Sequence, residues 1–577
     1  MCGEERQAPE APTSERGASR RRRRSAGGSS SFDYVVVGGG SAGSVVAGRL
    51  AERGASVAVL EAGGTDRRPE VALPVGIALA YKNLNWHYAV EPDASRGGIV
   101  EKWPAGKVLG GGGSINAGVF VRGNIADYDN WAQLGNDGWD YRSVLPLFRR
   151  LENWEGGADE FRGTGGPIGV RWHRVPHVAN DAFIAAAQQA GYPFNHDYNG
   201  ATQDGVGVSQ VNQRGHFRSQ SSREYLHRLA SAKALTVHTR AFAERILFDG
   251  ERAVGVEYLQ GGVRRTVRAS EEIVLSAGTI GTPKLLLLSG IGPAEELRRV
   301  GIAVVHDSQG VGRGLHEHPC IFLRYAAQVP NLNTMGPREA LKGLASYAVS
   351  GGGFLASTMG HAQVMHRTDS GLPVPDIQIC FANFGTVRQL APNGDVKVSV
   401  PREGSFLVTM MFTRPTPRGS VRLRSASAAD PPRISYEMLD DKSDLGAILA
   451  GIEETQRIMS QPALRGISGA LSGPEVSNRT PEHWEAWLRS NLHGGAHPVG
   501  TARMGVDDGA VVDPQLRVHG VTGLRVADAS VMPRITNGNT NAPSMMIGEK
   551  AADLIMQPVP AATASGRPIH HNSKGAS

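Results

Sequence analysis

The chain has 577 residues, more than one ordinary core holds, so two intimately packed domains or one large domain with an insertion is expected. With 40% hydrophobic residues, 20% charged residues and 74 glycines, its composition excludes a fibrous or disordered chain and describes a globular α/β one. The net charge of +6 owes much to five arginines at 20–24; without aromatic interleaving or zinc spacing, that run predicts a solvated arm and no nucleic-acid partner.

Residues 1–31 contain no apolar core of a secretory signal, and Glu4, Glu5, Glu10 and Glu15 are unusual in an organelle transit segment. Cys2, Cys320 and Cys380 form no CxxC pair and no even framework, which fits a reducing compartment, the cytoplasm. No run of about 18 apolar residues occurs, so no membrane span is expected.

Residues 34–37, Tyr-Val-Val-Val, read as a strand buried on both faces of a parallel sheet. The strand opens into Gly38-Gly39-Gly40-Ser41-Ala42-Gly43. The first glycine of this GxGxxG permits a tight turn, the second lets the backbone approach a pyrophosphate, and the third packs a helix on the strand. A helix over 41–53 buries Val45, Val46, Leu50 and Ala51 and stops at Gly54. A second strand over 56–60 ends in Glu61, whose carboxylate suits ribose hydroxyls and repels a 2′-phosphate. The unit predicts dinucleotide binding without separating FAD from NAD.

Residues 167–219 are dense in polar turn formers, within an insert at about 150–220. Short strands such as 404–413 and 420–424, with a helix over 441–459, predict a substrate domain at 321–489. The first domain then spans 32–320 and resumes at 490–556, and 557–577 reads as a frayed tail.

Five motifs carry a resemblance: residues 106–123 (GKVLGGGGSINAGVFVRG), 278–292 (GTIGTPKLLLLSGIG), 497–504 (HPVGTARM), 524–533 (LRVADASVMP) and 539–548 (NTNAPSMMIG). In this order they resemble the signatures of the glucose-methanol-choline (GMC) oxidoreductases. The resemblance implies an α/β fold, with a Rossmann-like FAD-binding domain and a substrate domain of antiparallel sheet plus helices. It also implies oxidation of an alcohol by hydride transfer to flavin N5.

Carried over residue by residue, His497 is the base and Asn541 the hydrogen-bond partner that orients the alcohol. Gly110, Gly111, Ser114, Asn116 and Ala117 lie in the first signature, whose bare backbone suits pyrophosphate or the flavin ring, with Asn116 at the ring edge. Asp528 and Ala529 match the place where the family closes on the ribityl and phosphate region. Pro543 either presses on the ring or stiffens its loop. Ile115 stands where some members carry a histidine tethered to flavin, which implies non-covalent FAD and no metal. Pro283 and Leu285, Leu286, Leu287 and Leu288 read as a packed helix start and core face without chemistry, and His493 as a loop residue.

The same fold hosts other chemistry. Photodecarboxylation, as in the algal fatty-acid enzyme, needs a cysteine and an arginine where this chain has Gly360 and Cys380. Hydroxynitrile lyase activity, in which flavin takes no electrons, is the main alternative. Among substrates a neutral primary alcohol is preferred to choline, because no carboxylate is evident opposite a quaternary ammonium. The acceptor is oxygen or a quinone-type compound.

Overall fold

The computed structural model describes residues 30–472 and 480–556. The five arginines at 20–24 and the tail from 557 lie outside the described residues.

Strand β1 (Ser30–Val37) is the hub of a seven-stranded sheet. Val35, Val36 and Val37 are buried, as expected for a strand covered on both faces. It pairs in parallel with β2 (Val57–Glu61) on one side and with the end of β3 (Val263–Leu275) on the other, placing Val37 opposite Leu60 and Leu275. Strand β3 is long enough for two roles, its first half closing an antiparallel hairpin with Arg252–Gln260. Leu235–Thr239 and Leu524–Val526 extend the parallel part.

Helix α1 (Ser41–Glu52) leaves β1 at the glycine turn and ends before Gly54, whose φ of 91° provides the left-handed stop. Helix α2 (Gly278–Leu288) follows β3 in the same way. Pro283, expected at a helix start, is instead inside α2, six positions in. A proline there has no N–H for the carbonyl of Thr279. That carbonyl accepts from Thr501 Oγ1 at 2.5 Å instead.

A second sheet is antiparallel, with β4 (Pro319–Ala327), β6 (Ser405–Phe412) and β5 (Ile377–Ala382) in its middle. Its far edge is Gly205–Val208, which lies in the turn-rich insert yet joins Ala362–His366. Strand alternation divides its two faces. Ile377, Ile379, Phe381, Phe406, Val408 and Met410 form a core with α3 (Lys442–Met459) and the helix Val178–Gln189. The alternate residues Cys320, Phe322, Gln378, Cys380, Thr409 and Met411 face a cavity between the sheets.

The last helix, α4 (Asn541–Met556), packs on α1, and Gly548 lets it approach so closely that a Cβ would stand 2.7 Å from the Ala42 carbonyl oxygen. Beside this contact Glu549 is fully buried, accepting from Arg49 at 2.8 Å, Arg150 at 2.7 Å and the Tyr225 hydroxyl at 2.6 Å. Without the acid, Arg49 keeps Glu52 and Arg150 keeps Asp553, each at 2.9 Å, so the loss is that of hydrogen bonds to a buried acceptor, about 1–3 kcal/mol. Glu549→Gln is therefore expected to lower the unfolding free energy read from a urea titration by that order, and an unchanged value would show that the amide or water replaces the carboxylate. Among the described residues no helix is long and apolar enough to cross a membrane.

Candidate active site

The cavity has a volume of about 700 Å³ and receives the N-terminal ends of three helices, with Ser41 of α1, Gly278 of α2 and Asn541 of α4 in its wall. Helix α1 has no side-chain cap, whereas the first N–H of α2 is taken by Asp528 at 2.9 Å. The first-turn N–H groups and positive dipole end of α1 suit a pyrophosphate. Gly112 and Gly278 meet no heavy atom within 4 Å where a Cβ would stand, so the cradle is open on the cavity side. These residues fit a flavin dinucleotide.

Of the residues expected to hold the cofactor, Gly38, Gly40, Ser41, Ala42, Glu61, Gly111, Asn116, Ala117, Asp528 and Ala529 line this cavity. Gly43, Gly110, Ser114 and Pro543 are not among its lining residues, and each stands in a packing or hydrogen-bond contact. A Cβ on Gly43 would stand 2.0 Å from the Gly38 carbonyl oxygen, and Gly110 N–H donates to the Gly39 carbonyl at 2.7 Å. The two glycine turns are thereby in backbone contact. Ser114 Oγ donates to the Leu109 carbonyl at 2.7 Å, and Pro543 is buried in the first turn of α4.

Glu61 accepts from Gly39 N–H at 3.0 Å and Gly63 N–H at 2.6 Å, so it braces the first turn while it borders the cavity. Burial pushes its carboxyl up to about 7 against those two amides. Asp528 accepts from Gly278 N–H at 2.9 Å and Thr282 Oγ at 2.6 Å on one oxygen, and from Ser530 N–H at 2.8 Å on the other. It joins the start of α2 to the loop after Leu524–Val526.

His497 follows Ala496, whose φ of 66° lies in the left-handed region, disfavoured by about 1–2 kcal/mol for a residue with a Cβ. The main chain is held there because His497 N–H donates to both Glu317 oxygens, at 2.9 and 3.1 Å. Glu317 is fully buried, also accepts from His318 N–H at 2.8 Å, and is pushed up to about 8 by burial. The imidazole of His497 lies between two partners, His318 Nδ1 at 3.1 Å from its Nδ1 and Asn539 Nδ2 at 3.1 Å from its Nε2. Burial depresses it to about 4.

Asn541, paired with His497 in the sequence reading, accepts from Ser41 Oγ at 2.8 Å and so ties α4 to α1 at the nucleotide end. Both residues border the cavity, but the side chain that touches His497 is Asn539. The Asn539 oxygen accepts from Gln378 Nε2 at 3.3 Å, which turns its amide nitrogen toward the imidazole. His493 is no loop residue. It lies in a two-residue strand on β4, buried, with Nδ1 2.9 Å from Glu101.

The sequence reading missed Asn539, Gln378, Glu317 and His318. The run His316-Glu317-His318, three titratable groups just before an apolar strand, was the available signal for two of them. Asn539 stands two positions before Asn541 in one motif, and spacing alone does not choose between them.

A parallel-sheet dinucleotide cradle and an antiparallel sheet that share one cavity around a histidine define a two-domain oxidoreductase. The GMC oxidoreductase family matches over residues 32–320 and again over 415–548. Oxygen-dependent choline dehydrogenases of Rhizobium johnstonii and Brucella suis are 38% and 37% identical, each covering 92% of this chain and 96% of its own length. Among solved structures, a formate oxidase of Aspergillus oryzae studied for FAD modification aligns with TM-score 0.83 and 26% identity, over 91% of this chain and 98% of its own. Pyridoxine 4-oxidase from Mesorbium loti aligns with TM-score 0.80 and 27% identity, over 90% and 98%. The chain belongs to the GMC oxidoreductase family and is an FAD-dependent oxidoreductase acting on CH–OH groups.

Proposed function

We propose that the protein oxidises a primary alcohol to the aldehyde, with His497 as the base and Asn539 as the group that orients the hydroxyl. The supporting observation is the pinned imidazole. Asn539 donates to Nε2, so Nε2 carries the lone pair, and the ring proton sits on Nδ1, donated to His318. The substrate hydroxyl displaces the Asn539 amide from Nε2, takes that amide as its own donor, and delivers its proton to Nε2 as the carbinol carbon loses hydride. FAD, when bound, would supply the two-electron acceptor for that hydride. Glu317 and the left-handed Ala496 fix the main chain beneath the base, so the ring needs no reorientation during transfer.

Ile115 borders the cavity at the position of the flavin-tethering histidine, and an alkyl side chain cannot form that bond. Acid precipitation of the holoenzyme should therefore leave FAD in the supernatant. The acceptor is oxygen or a quinone-type compound. Anaerobic addition of primary alcohols tests the main reading: bleaching of the oxidised-flavin band supports it, and a flavin that stays oxidised while cyanohydrin is cleaved replaces it with lyase chemistry.

A pH profile offers a second check. The free imidazole is depressed to about 4, so it is neutral and competent above that value. The acid limb of kcat/KM for anaerobic flavin reduction is expected below pH 6.5, toward 4, and a limb at or above 6.5 would exclude the buried neutral base. Stability obeys the same sign: unfolded histidine protonates near 6.5, so the contribution of His497 is complete above that value and lost as pH falls toward 4. Rates are therefore to be read only where the melting temperature is constant.

A further inference from the structure

The alcohol-binding end of the cavity carries one charged side chain without a partner. Arg388 lies on a hairpin, Val387–Leu390 with Val396–Ser399, that a Lys102–Asp395 ion pair of 2.8 Å fastens to the first domain. Its guanidinium borders the cavity, stacked with its central carbon 3.7 Å from the centre of the Phe322 ring. Among the described residues it has no ion pair or hydrogen bond, and its Nε is buried without an acceptor. Burial lowers its pKa from the ordinary value. Glu101, the nearby carboxylate, is occupied by His493 at 2.9 Å and Arg96 at 3.3 Å.

The other formal charges in the wall are accounted for. Lys284 donates to the carbonyls of Ala428 and Asp430 at 2.6 and 2.7 Å. Glu61 and Asp528, the acids among the described wall residues, are bound by backbone amides at the glycine turns. A desolvated cation without a counter-charge is costly, and a guanidinium fork matches a carboxylate on two N–H groups. A quaternary ammonium would meet repulsion here. His318, which touches the base, stands just before β4 and four residues from Phe322, on which the guanidinium stacks, and four residues of extended chain span roughly 13 Å at 3.3 Å per residue.

Resting on the alcohol-oxidation reading, we propose that Arg388 docks a carboxylate of the substrate. The protein then acts on an ω-hydroxy acid, with the carbinol at His497 and the acid group at the far end of an apolar passage past Cys320, Thr409 and Met411. This separates it from the choline dehydrogenases it resembles in sequence.

The test uses holoenzyme and two readouts. The first is anaerobic flavin reduction by ω-hydroxyalkanoates of six to ten carbons, the corresponding n-alkanols and the ω-hydroxyalkyl trimethylammonium salts. The second is perturbation of the flavin spectrum by n-alkanoates, which have no carbinol to oxidise. Expected are a KM at least tenfold lower for the hydroxy acid than for the alkanol, and alkanoate binding that Arg388→Met weakens at least tenfold and Arg388→Lys partly restores. Arg388→Met should also lower the acid-over-alkanol ratio of kcat/KM at least tenfold, mainly through KM. Bleaching by alkanol or ammonium alcohol as readily as by the acid overturns the carboxylate site and leaves alcohol oxidation standing. Arg388-dependent alkanoate binding without bleaching by any alcohol upholds the anion site and overturns the oxidation.

Discussion

His497→Ala is expected to slow anaerobic flavin reduction by about 10²–10⁴-fold in kcat/KM, some 3–5 kcal/mol of lost transition-state stabilisation. The hydroxyl proton must leave with the hydride, and among the described cavity residues His497 combines an unprotonated ring nitrogen with an amide partner, Asn539, that an alcohol can take over. The FAD content should be retained, because the nucleotide turns are anchored through Glu61, Asp528 and Ser41 rather than through His497. Two asparagine variants divide the motif. Asn539→Ala should lower the same rate constant, whereas Asn541→Ala, which loses only the Ser41 contact, should act mainly on cofactor retention. The reverse pattern would restore Asn541 as the alcohol partner.

Gly43→Ala should be strongly damaging to the nucleotide turn. Its Cβ would lie 2.0 Å from the Gly38 carbonyl oxygen and 2.8 Å from Ser276 Cβ, and Gly38 itself has a φ of 100° with Ser276 oxygen 2.2 Å from its own notional Cβ. Both obstacles at Gly43 are held by the sheet, so relief requires α1 to back away from β1. Overpacking of this kind costs about 1–3 kcal/mol, more where backbone must move. The variant should purify with little flavin and a lowered urea midpoint. Gly112→Ala is the control, since its Cβ meets nothing within 4 Å of protein at a residue that lines the cavity proposed to hold the cofactor. It should keep the midpoint of the apoprotein and still lose flavin affinity. Equal behaviour of the two variants would mean that both glycines serve the fold alone.

How much of this was legible in the sequence depends on the range of the interactions. The unit from β1 to Glu61 is local: valine run, glycine turn, helix and terminal acid each act within a few residues; the helix and second strand fell within one residue of expectation, and β1 begins four residues earlier than the run at 34–37. Helix α3 was equally readable, starting one residue after its Asp441 cap. Non-local pairing was not readable. Gly205–Val208 looks like loop because its partner strand lies some 150 residues on, and Glu317 and His318 meet His497 across about 180 residues. Asn539 was hidden differently, since two asparagines of one motif diverge only because α4 begins between them and sends Asn541 toward α1.

The alternation of the antiparallel sheet has an evolutionary consequence. Residues such as Ile379 and Val408 keep the domain folded, while their immediate neighbours Cys380 and Thr409 border the cavity. Each middle strand is thus two interleaved texts, one under selection for cohesion and one open to drift. A lineage can rewrite the second letter by letter, exchanging one class of alcohol for another, without first acquiring compensating changes in the first.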